Sequence, residues 1–443
     1  MTIKTFRVLA LGSALLLGSV PTVTRATTPT PVLSNYVAPG SFANLRAGET
    51  SIGVNTLTNS TFFQLLGNTI RVRWDGAGTA TWEDVFDHST NDPILWADPA
   101  TGRIFVSHLV AFVGAQNAYS DDDGDTWHTA NEPGIVLPSW DHQTIGGGPY
   151  PLNAPNPVYP TQLYYCAQPG ASASQCARSD DGGLTWGAPF VSNADRCGGL
   201  HGHVTVSPDG TVFLPNKSCG STQGVLTSTT LGAAWTVQHV VGTVPHNADP
   251  KVAFDRGGRA YFVASSRLDW DDTTGGRAMV ATSSDDGVTW STPFDAGAAF
   301  GVKNTEFPMV VAGDAGRAAV AFYGSTTPGN DQSASFAGAW HLYVAFTYDG
   351  GATWKTVDVT PSDPVQRGCI WMSGGGNACR NLVDFQDMTM DTAGRVLIGY
   401  ADGCVSSVCT GSTGTPNDSR ASRGVIARQS GGLGLLSAFD GTF

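Results

Sequence analysis

The chain has 443 residues, of which 41% are hydrophobic and only 14% are charged, and its formal net charge is −13. Phosphate backbones and anionic lipid surfaces recruit clustered lysine and arginine, so this balance argues against a nucleic-acid or membrane-surface partner. An aromatic content of 10% argues against disorder. Scarce charge together with abundant glycine and proline favours an all-β fold in one large domain.

Residues 1–26 have the pattern of a secretory signal peptide. Lys4 and Arg7 precede an apolar run at 8–20, and Ala26 offers a small residue for cleavage. That apolar run is too short to span a bilayer. We therefore expect a secreted protein, with a lead-in segment at 27–48 in which residues 34–42 are a candidate outer strand for the domain that follows at 49–443.

Eight cysteines lie beyond the signal peptide, and an even number in a secreted chain indicates disulfides. Many pairings are formally possible. Pairing of sequence neighbours is the simplest: Cys166–Cys176, Cys197–Cys219, Cys369–Cys379 and Cys404–Cys409. Zinc is the competing interpretation, but no two cysteines have the CxxC spacing typical of a zinc site.

An eight-residue motif, S-x-D-x-G-x-T-W, recurs along the chain. It occurs at 120–127, 179–186 and 283–290, with Thr in the first position at 347–354 and Thr230 in the Asp position at 228–235. The Asp side chain accepts backbone N–H groups within a turn, the Gly permits a positive φ, and the Trp packs across the hairpin. We call this turn the clasp, and predict that Trp127, Trp186, Trp290 and Trp354 are buried at outer hairpins. The acidic run at 121–125 lacks the later bidentate Glu of a calcium loop.

Each clasp follows a pair of apolar strands, so the repeating unit has four strands and about 45–60 residues, the size of a propeller blade. The first strands start near Glu49, Asp92, Asp141, His203, Asp249, Phe307 and Phe385. Seven units favour seven blades, and six is the alternative, since the terminal clasps near 81–82 and 430–433 are eroded.

This combination of clasp and four-stranded unit resembles the BNR/Asp-box propellers, best known from the sialidases, over about residues 49–435. The resemblance implies that the clasps lie at the blade periphery and that the active site is a funnel at the central axis. The polar residues that begin the first strands would wall that funnel. The candidate catalytic residues are Asp92, Asp141, His142, His201, His203, Asp249, Glu306 and Asp387.

The resemblance also implies an activity, the hydrolysis of an acidic sugar in the manner of an exo-sialidase. Such a site grips the sugar carboxylate with three arginines and uses a tyrosine nucleophile beside carboxylic acids. The candidate substrate-binding residues are Arg46, Arg196, Arg380, Lys303 and Tyr150, with Tyr323 as a second tyrosine. An acidic glycan is then the expected partner, with no cofactor and a monomeric protein.

Other functions stay open. A uronate polysaccharide lyase would use His142, His201 and His203 as bases near pH 7, with Tyr150. The protein could instead bind a glycan or a protein without catalysis. Two further alternatives involve a cation. The alternating pair His201 and His203 could bind a metal together with Asp141 or Asp249, or the acidic ring could hold a structural cation in the central tunnel.

Overall fold

A computed structural model describes most of the chain. The described residues are 1–2, 28–43, 46–65, 67–87, 91–110, 114–135, 141–154, 157–168, 173–191, 197–267, 275–372, 377–410 and 420–442. The signal peptide predicted at 1–26 lies almost entirely outside them.

The fold is a seven-bladed β-propeller, and the prediction of an all-β propeller with seven blades is confirmed. The strands form seven antiparallel sheets, each with four strands in radial order. Blades are numbered in chain order, and the first strand of each sheet is its inner strand, nearest the axis. In blade 6 a short extra strand adds to the third strand of the sheet.

The strand bounds follow the predicted repeat. Blade 1 contains β2 (Ser51–Val54), β3 (Thr61–Leu65), β4 (Asn68–Trp74) and β5 (Ala80–Asp87). Blade 2 contains β6 (Asn91–Ala97), β7 (Ile104–Val110), β8 (Gly114–Ser120) and β9 (His128–Ile135). Blade 3 contains β10 (Asp141–Pro149), β11 (Thr161–Gln168), β12 (Gln175–Ser179) and β13 (Phe190–Val191). Blade 4 contains β14 (Thr205–Val206), β15 (Val212–Cys219), β16 (Thr222–Ser228) and β17 (Thr236–Val240).

The remaining blades continue the same order. Blade 5 contains β18 (Lys251–Phe254), β19 (Ala260–Arg267), β20 (Gly276–Ser283) and β21 (Phe294–Asp295). Blade 6 contains β22 (Asn304–Ala312), β23 (Ala318–Ser325), β24 (Ala339–Thr347), β25 (Lys355–Asp358) and the extra β26 (Gln366–Arg367). Blade 7 contains β27 (Asp387–Met390), β28 (Val396–Asp402), β29 (Arg423–Gly431) and β1 (Val32–Val37).

In the part of the chain that the structure describes, helix is limited to single turns. The α-helical turns are α1 (Gly40–Ala43) and α2 (Ser407–Thr410), and the 3₁₀ turns are Ala298–Phe300, Ala378–Arg380 and Ser437–Phe439. Within the described part of the chain, no helix has the length and apolar character needed to cross a membrane.

The ring is closed by the N-terminal segment, because β1 pairs with β29 as the outermost strand of blade 7. The outer strand predicted at 34–42 is therefore present, but it begins earlier and ends at Val37. Pro39, which has no N–H to donate, and the helical turn α1 end it. The Tyr36 ring meets the Trp74 ring edge-on at 4.7 Å, which joins this strand to blade 1.

The clasps connect the third and fourth strands of blades 2 to 6. In blade 2 the Ser120 hydroxyl accepts the Gly124 N–H at 2.8 Å. Asp122 accepts the Thr126 N–H at 2.8 Å and its hydroxyl at 2.6 Å. The turns at Asp181, Asp285 and Asp349 repeat these bonds.

The clasp tryptophans were predicted to be buried, and this was wrong, because the structure leaves them partly exposed. Trp127, Trp186, Trp290 and Trp354 are half-buried. Each lies at the outer rim of its blade, where the protein covers only part of the indole. The Trp290 ring, for example, packs edge-on against Phe262, with 5.7 Å between centroids.

The four disulfides join the predicted neighbours: Cys166–Cys176, Cys197–Cys219, Cys369–Cys379 and Cys404–Cys409. Cys166 and Cys176 face each other across β11 and β12.

The middle strands between the clasps and the axis are the most buried, and every residue of β11 and β23 is buried. Apolar strands buried on both faces are what close packing of neighbouring blades requires.

Candidate active site at the tunnel axis

Three inner strands begin with the same backbone distortion. At Asp92, His142 and Phe307 the angle φ is 48°, 55° and 53°. In each case the pairing of the inner strand with the second strand shifts register across that residue. A bulge of this kind bends a strand and redirects its side chains. The distortion thus places the polar residues that open the inner strands near the axis of the ring.

These side chains meet around one small cavity on the axis, about 20 Å³ in volume, which has room for about one water molecule. We call this end of the tunnel the polar end. Five of the residues predicted to be catalytic line the cavity: Asp92, His142, His201, His203 and Asp249. Seven residues outside that prediction complete its wall: Ile94, Gln143, Thr144, Gly202, Lys251, Asp384 and Phe385.

His142 and Asp249 form the central pair of the cavity. His142 Nδ1 lies 2.8 Å from Asp249 Oδ2, and Lys217 Nζ lies 3.8 Å from Oδ1 of the same carboxylate. Burial would raise the pKa of Asp249, but His142, Lys217 and Lys251 outweigh it and hold that pKa below its usual range. The carboxylate is therefore ionised near neutral pH and orients the imidazole of His142.

The other two histidines are neutral at pH 7. Burial lowers the pKa of His201 to about 4. Burial, with a contribution from the charge of Lys251, holds the pKa of His203 well below its usual value. His201 Nδ1 donates to the Gly202 carbonyl at 3.0 Å, and its Nε2 has no hydrogen-bond partner among the described residues. His201 therefore presents a buried lone-pair acceptor beside the cavity.

Lys251 is the buried cation of the cavity wall. Its side chain belongs to the inner strand of blade 5, and the residue is only 5% exposed. Burial lowers the pKa of Lys251 to about 8, although the charges of Asp249 and Asp387 act in the opposite direction. Lys251 lies two residues after Asp249, and both residues line the small cavity. The sequence prediction missed Lys251 because its candidate catalytic residues were Asp, Glu and His only.

Three carboxyl groups gather on the blade 1 and 2 side of the cavity. One oxygen each of Glu49, Asp92 and Asp384 lies within 4.8 Å of the others. Glu49 Oε2 accepts the Asp92 N–H at 3.0 Å. Burial, followed by the charges of Asp92 and Asp384, raises the pKa of Glu49 well above its usual value. Such a group could hold a cation, but Arg380 already binds Asp384 through two bonds of 2.6 and 2.5 Å.

Glu306 lies away from this cavity wall, in a buried pair with Asp331. Asp331 belongs to the segment that links β23 and β24. Burial and then the Asp331 carboxyl raise the pKa of Glu306 well above its usual value. Burial likewise raises the pKa of Asp331 to about 6. The pair therefore retains a proton near neutral pH.

Asp387 connects two blades rather than facing the small cavity. Its Oδ2 accepts the Ser51 hydroxyl at 2.9 Å and the Ile52 N–H at 3.2 Å, which fastens blade 7 to blade 1. Burial raises the pKa of Asp387 to about 6.

The predicted substrate-binding residues are not brought together. Arg46 and Lys303 are exposed, and Arg380 is bonded to Asp384. The Tyr150 hydroxyl donates to Asp180 at 2.9 Å, at the clasp of blade 3. Tyr150 follows the nine-residue β10, which at about 3.3 Å per residue separates it from the polar end by most of the blade. Tyr323 is buried, and its hydroxyl donates to the Ala401 carbonyl.

Two predicted residues fall outside what the structure describes. Arg196 is not among the described residues, and Asp141 begins β10 with a side chain that is not described. Their predicted roles stay predictions.

The opposite end of the tunnel is wider. A cavity of about 600 Å³ is lined by the inner strands of all seven blades. His203 and Lys251 line both this cavity and the small one, so they mark the boundary between them. The tunnel therefore narrows at the polar end.

Comparisons with known proteins identify the fold. No family model matches the chain, and no curated protein sequence matches it. Solved structures do match. A GH74 enzyme from Niastella koreensis superposes with a TM-score of 0.53 and 18% identity, covering 81% of this chain and 52% of the enzyme. A GH74 xyloglucanase from Xanthomonas campestris gives 0.50 and 13%, covering 83% and 52%.

A Hadza microbial sialidase also matches, with a TM-score of 0.39 and 17% identity over 86% of this chain and 65% of the sialidase. At such identities the likeness is one of fold. This chain spans about half the length of the two GH74 enzymes.

Proposed function

We propose that this chain is a secreted Asp-box propeller that cleaves glycosidic bonds of an acidic glycan, with the sugar in the wide cavity and the reacting groups at the polar end, where the tunnel narrows. One observation carries the proposal: acids, bases and a buried cation from five of the seven blades surround a single axial cavity. In a chain with only 14% charged residues, this is a costly concentration of buried titratable groups. Converging groups with displaced pKa values are typical of acid–base catalysis.

Carbohydrate is the substrate class that the structural neighbours support. The matched enzymes include a xyloglucanase and a second GH74 enzyme, both propellers that share the blade architecture described above. Because the likeness is one of fold, the argument for the site depends on the residues of this chain.

Hydrolysis would use the carboxyl groups beside the cavity. Glycosidases pair a protonated carboxyl with an ionised one a few ångströms away. Glu49, held protonated by burial, stands next to Asp92 and Asp384, which line the cavity. Lys251, which lines the wide cavity as well as the small one, is then the cation that would contact an acidic sugar, in place of the three arginines that a sialidase-like site would need.

Uronate elimination is the second candidate, and the His142–Asp249 pair favours it. An imidazole oriented by a carboxylate is suited to remove the proton next to a sugar carboxylate. The cation at Lys251 would offset the charge that develops on that carboxylate.

The test is to incubate the full chain with sialosides, uronate oligosaccharides and matched neutral glycans. Released reducing ends report hydrolysis, and the ultraviolet absorbance of an unsaturated product reports elimination. We expect His142→Ala and Asp384→Asn to lower the rate by about 100-fold or more. The matched control is His239→Ala, since His239 is exposed on the outer strand of blade 4.

Three outcomes would overturn parts of the proposal. Binding without cleavage of any glycan assigns the site to recognition alone. If neutral glycans are cleaved and acidic ones are not, the proposal of an acidic substrate is wrong. A chelator that lowers the melting temperature without changing cleavage assigns Glu49, Asp92 and Asp384 to a structural cation.

Secretion and a monomeric state are part of the same proposal. Four disulfides are typical of proteins that fold in oxidising compartments. N-terminal sequencing of protein recovered from culture medium should find a start near residue 27. Light scattering should give the mass of one chain.

A further inference from the structure

A second cavity lies at the rim of the ring, between blades 3 and 4. Its volume is about 510 Å³, within the range of small-ligand pockets. Trp186 and Phe190 supply aromatic surface, and Leu231 and Val158 supply aliphatic surface. We call this cavity the rim groove. It is built from the clasps of the two blades and is separate from the axial site.

The polar wall of the rim groove is held in place by its own contacts. Arg178 Nε and Nη2 bond Asp180 Oδ2 at 3.2 and 2.8 Å, and Nη1 donates to the Leu231 carbonyl at 3.0 Å. Tyr150 donates to the other oxygen of Asp180 at 2.9 Å. This guanidinium–carboxylate pair is thus fixed before any ligand arrives, and its two charges balance.

Leu231 gives an independent indication that this groove binds a ligand. Its φ is 54°, in the left-handed region. The equivalent clasp positions in the other four blades carry residues that tolerate this conformation: Asp123, Gly182, Asp286 and Gly350. A bulky residue with positive φ is uncommon, and such strain concentrates at functional sites. Here the strained residue places an apolar side chain in the wall of the rim groove.

Trp186 also differs from two of its counterparts. Trp127 and Trp235 donate their indole N–H to the carbonyl of the clasp glycine, at 3.2 and 2.8 Å. Trp186 Nε1 has no hydrogen-bond partner within the described part of the chain, and neither has Trp290 Nε1. Trp290 lines none of the cavities described here, so it offers a matched control for Trp186.

We propose that the rim groove binds a neutral sugar residue of a glycan. A sugar ring has an apolar C–H face and a hydroxyl edge. The aromatic and aliphatic wall can pack against the C–H face. The fixed Arg178–Asp180 pair offers a hydrogen-bond donor and an acceptor to the hydroxyl edge. Because the charges of that pair cancel and Asp181 adds a further carboxylate to the wall, an anionic sugar gains no attraction. The proposal does not depend on cleavage at the axial site.

The test is calorimetric titration of the full chain with cellotetraose, xylotetraose and mannotetraose, with sialyllactose as the acidic comparison. We expect at least one neutral tetrasaccharide to bind, and Trp186→Ala to weaken that binding by about tenfold. Trp290→Ala, which removes the same side chain from a clasp without a groove, should leave the affinity unchanged. His142→Ala should also leave it unchanged, which separates the rim groove from the axial site.

If the tryptophan variants unfold, Leu231→Gly still tests whether the rim groove binds the glycan. Glycine relieves the left-handed strain, so this variant should fold at least as well as the parent while it loses affinity. The proposal is overturned if no neutral tetrasaccharide binds, if Trp290→Ala weakens binding as much as Trp186→Ala, or if Leu231→Gly binds as the parent does. Failure of glycan cleavage would leave these measurements unaffected.

Discussion

At the scale of single residues, the polar end is a place where burial sets protonation. Glu49 and Glu306 have raised pKa values, while those of His201 and Lys251 are lowered. Burial is the first cause in all four, because taking a charge out of water favours the neutral form of any group. A protonated Glu49 and a neutral His201, beside the ionised Asp249 and the Lys251 ammonium, give the cavity both proton donors and acceptors near pH 7.

The first prediction concerns Glu306. Its pKa is higher in the folded protein than in the unfolded chain, so unfolding releases a proton above about pH 4.5. The contribution of Glu306 to stability is therefore greatest at low pH and falls as pH rises through that window, by up to about 1.4 kcal/mol per pH unit. Glu306→Gln should make the decline in the free energy of unfolding between pH 5 and 8 shallower.

Denaturant unfolding at several pH values measures this slope. The matched control is Glu83→Gln, since the Glu83 side chain is 53% exposed. Equal slopes in the parent and Glu306→Gln would show that Glu306 ionises normally when folded.

The second prediction concerns Lys251. Its pKa falls from 10.5 in the unfolded chain to about 8 on folding, so the buried ammonium destabilises the protein at pH 7. Stability should rise as pH increases from about 8 towards 10.5, where the folded protein has released this proton first. Lys251→Met should raise the free energy of unfolding at pH 7 by about 1–3 kcal/mol.

Thermal unfolding of Lys251→Met beside the exposed control Lys303→Met tests this. The same variant should lose the preference for acidic over neutral glycans. A destabilised Lys251→Met would mean that the ion pairs of Lys251 outweigh its burial.

At the scale of the element, the clasp is a modular turn that works with several residue sets. The blade 4 version keeps the bond from Gly232 to Ser228 and replaces the Asp by Thr230, whose hydroxyl still accepts the Ala234 N–H at 2.8 Å. The essential contact is thus a hydrogen bond in which a side-chain oxygen accepts the backbone N–H of the residue four positions later.

The third prediction follows from that contact. In blade 5, Asp285 accepts bonds from the Thr289 N–H, the Thr289 hydroxyl and the Ser283 hydroxyl. Asp285→Ala should lower the free energy of unfolding by about 1–2 kcal/mol, because the turn loses its acceptor at a solvent-exposed site. Asp286→Asn, in the same turn, should be neutral, since asparagine tolerates the left-handed φ of that position. Chemical denaturation measures the free energy of unfolding of both variants. Equal losses of stability in the two would contradict this role of Asp285.

The elements were predictable from the sequence because their signals are local. The clasp residues, the strand pairs and the disulfides each lie within one blade, so their spacing is readable along the chain. The axial site is different, because it combines residues from separate blades. Asp92 and His142 were found since both begin inner strands, whereas Asp384 lies on an irregular segment without any periodicity. Tyr150 was misplaced because sequence proximity to His142 hid the length of β10 between them.

At the scale of the whole molecule, the ring depends on one non-local pairing. Strand β1 hydrogen-bonds β29 along six residues, and Asn35 donates to the Val359 carbonyl of the preceding blade at 3.0 Å. Without β1, the edge of β29 would face solvent, and Trp74 would lose its contact with Tyr36.

The fourth prediction tests this closure. A chain that starts at residue 38 should melt roughly 5–10 °C below one that starts at residue 28, because only the shorter chain lacks β1. Both lack the proposed signal peptide, so the comparison isolates the strand. Calorimetry measures the difference, and equal melting temperatures would show that the ring closes without β1.

The closure also constrains how the protein can be made. A ribosome releases β1 before all of blades 1 to 6, so this strand has no partner until those blades and β29 have been synthesised. Blades 1 to 6 can form in order of their appearance, each from contiguous chain. Blade 7 cannot be completed before β29 has been synthesised. Until then the backbone of β1 is unpaired and must be kept from pairing with other strands. A translocation machinery that delivers the chain unfolded would allow both ends to meet in one compartment.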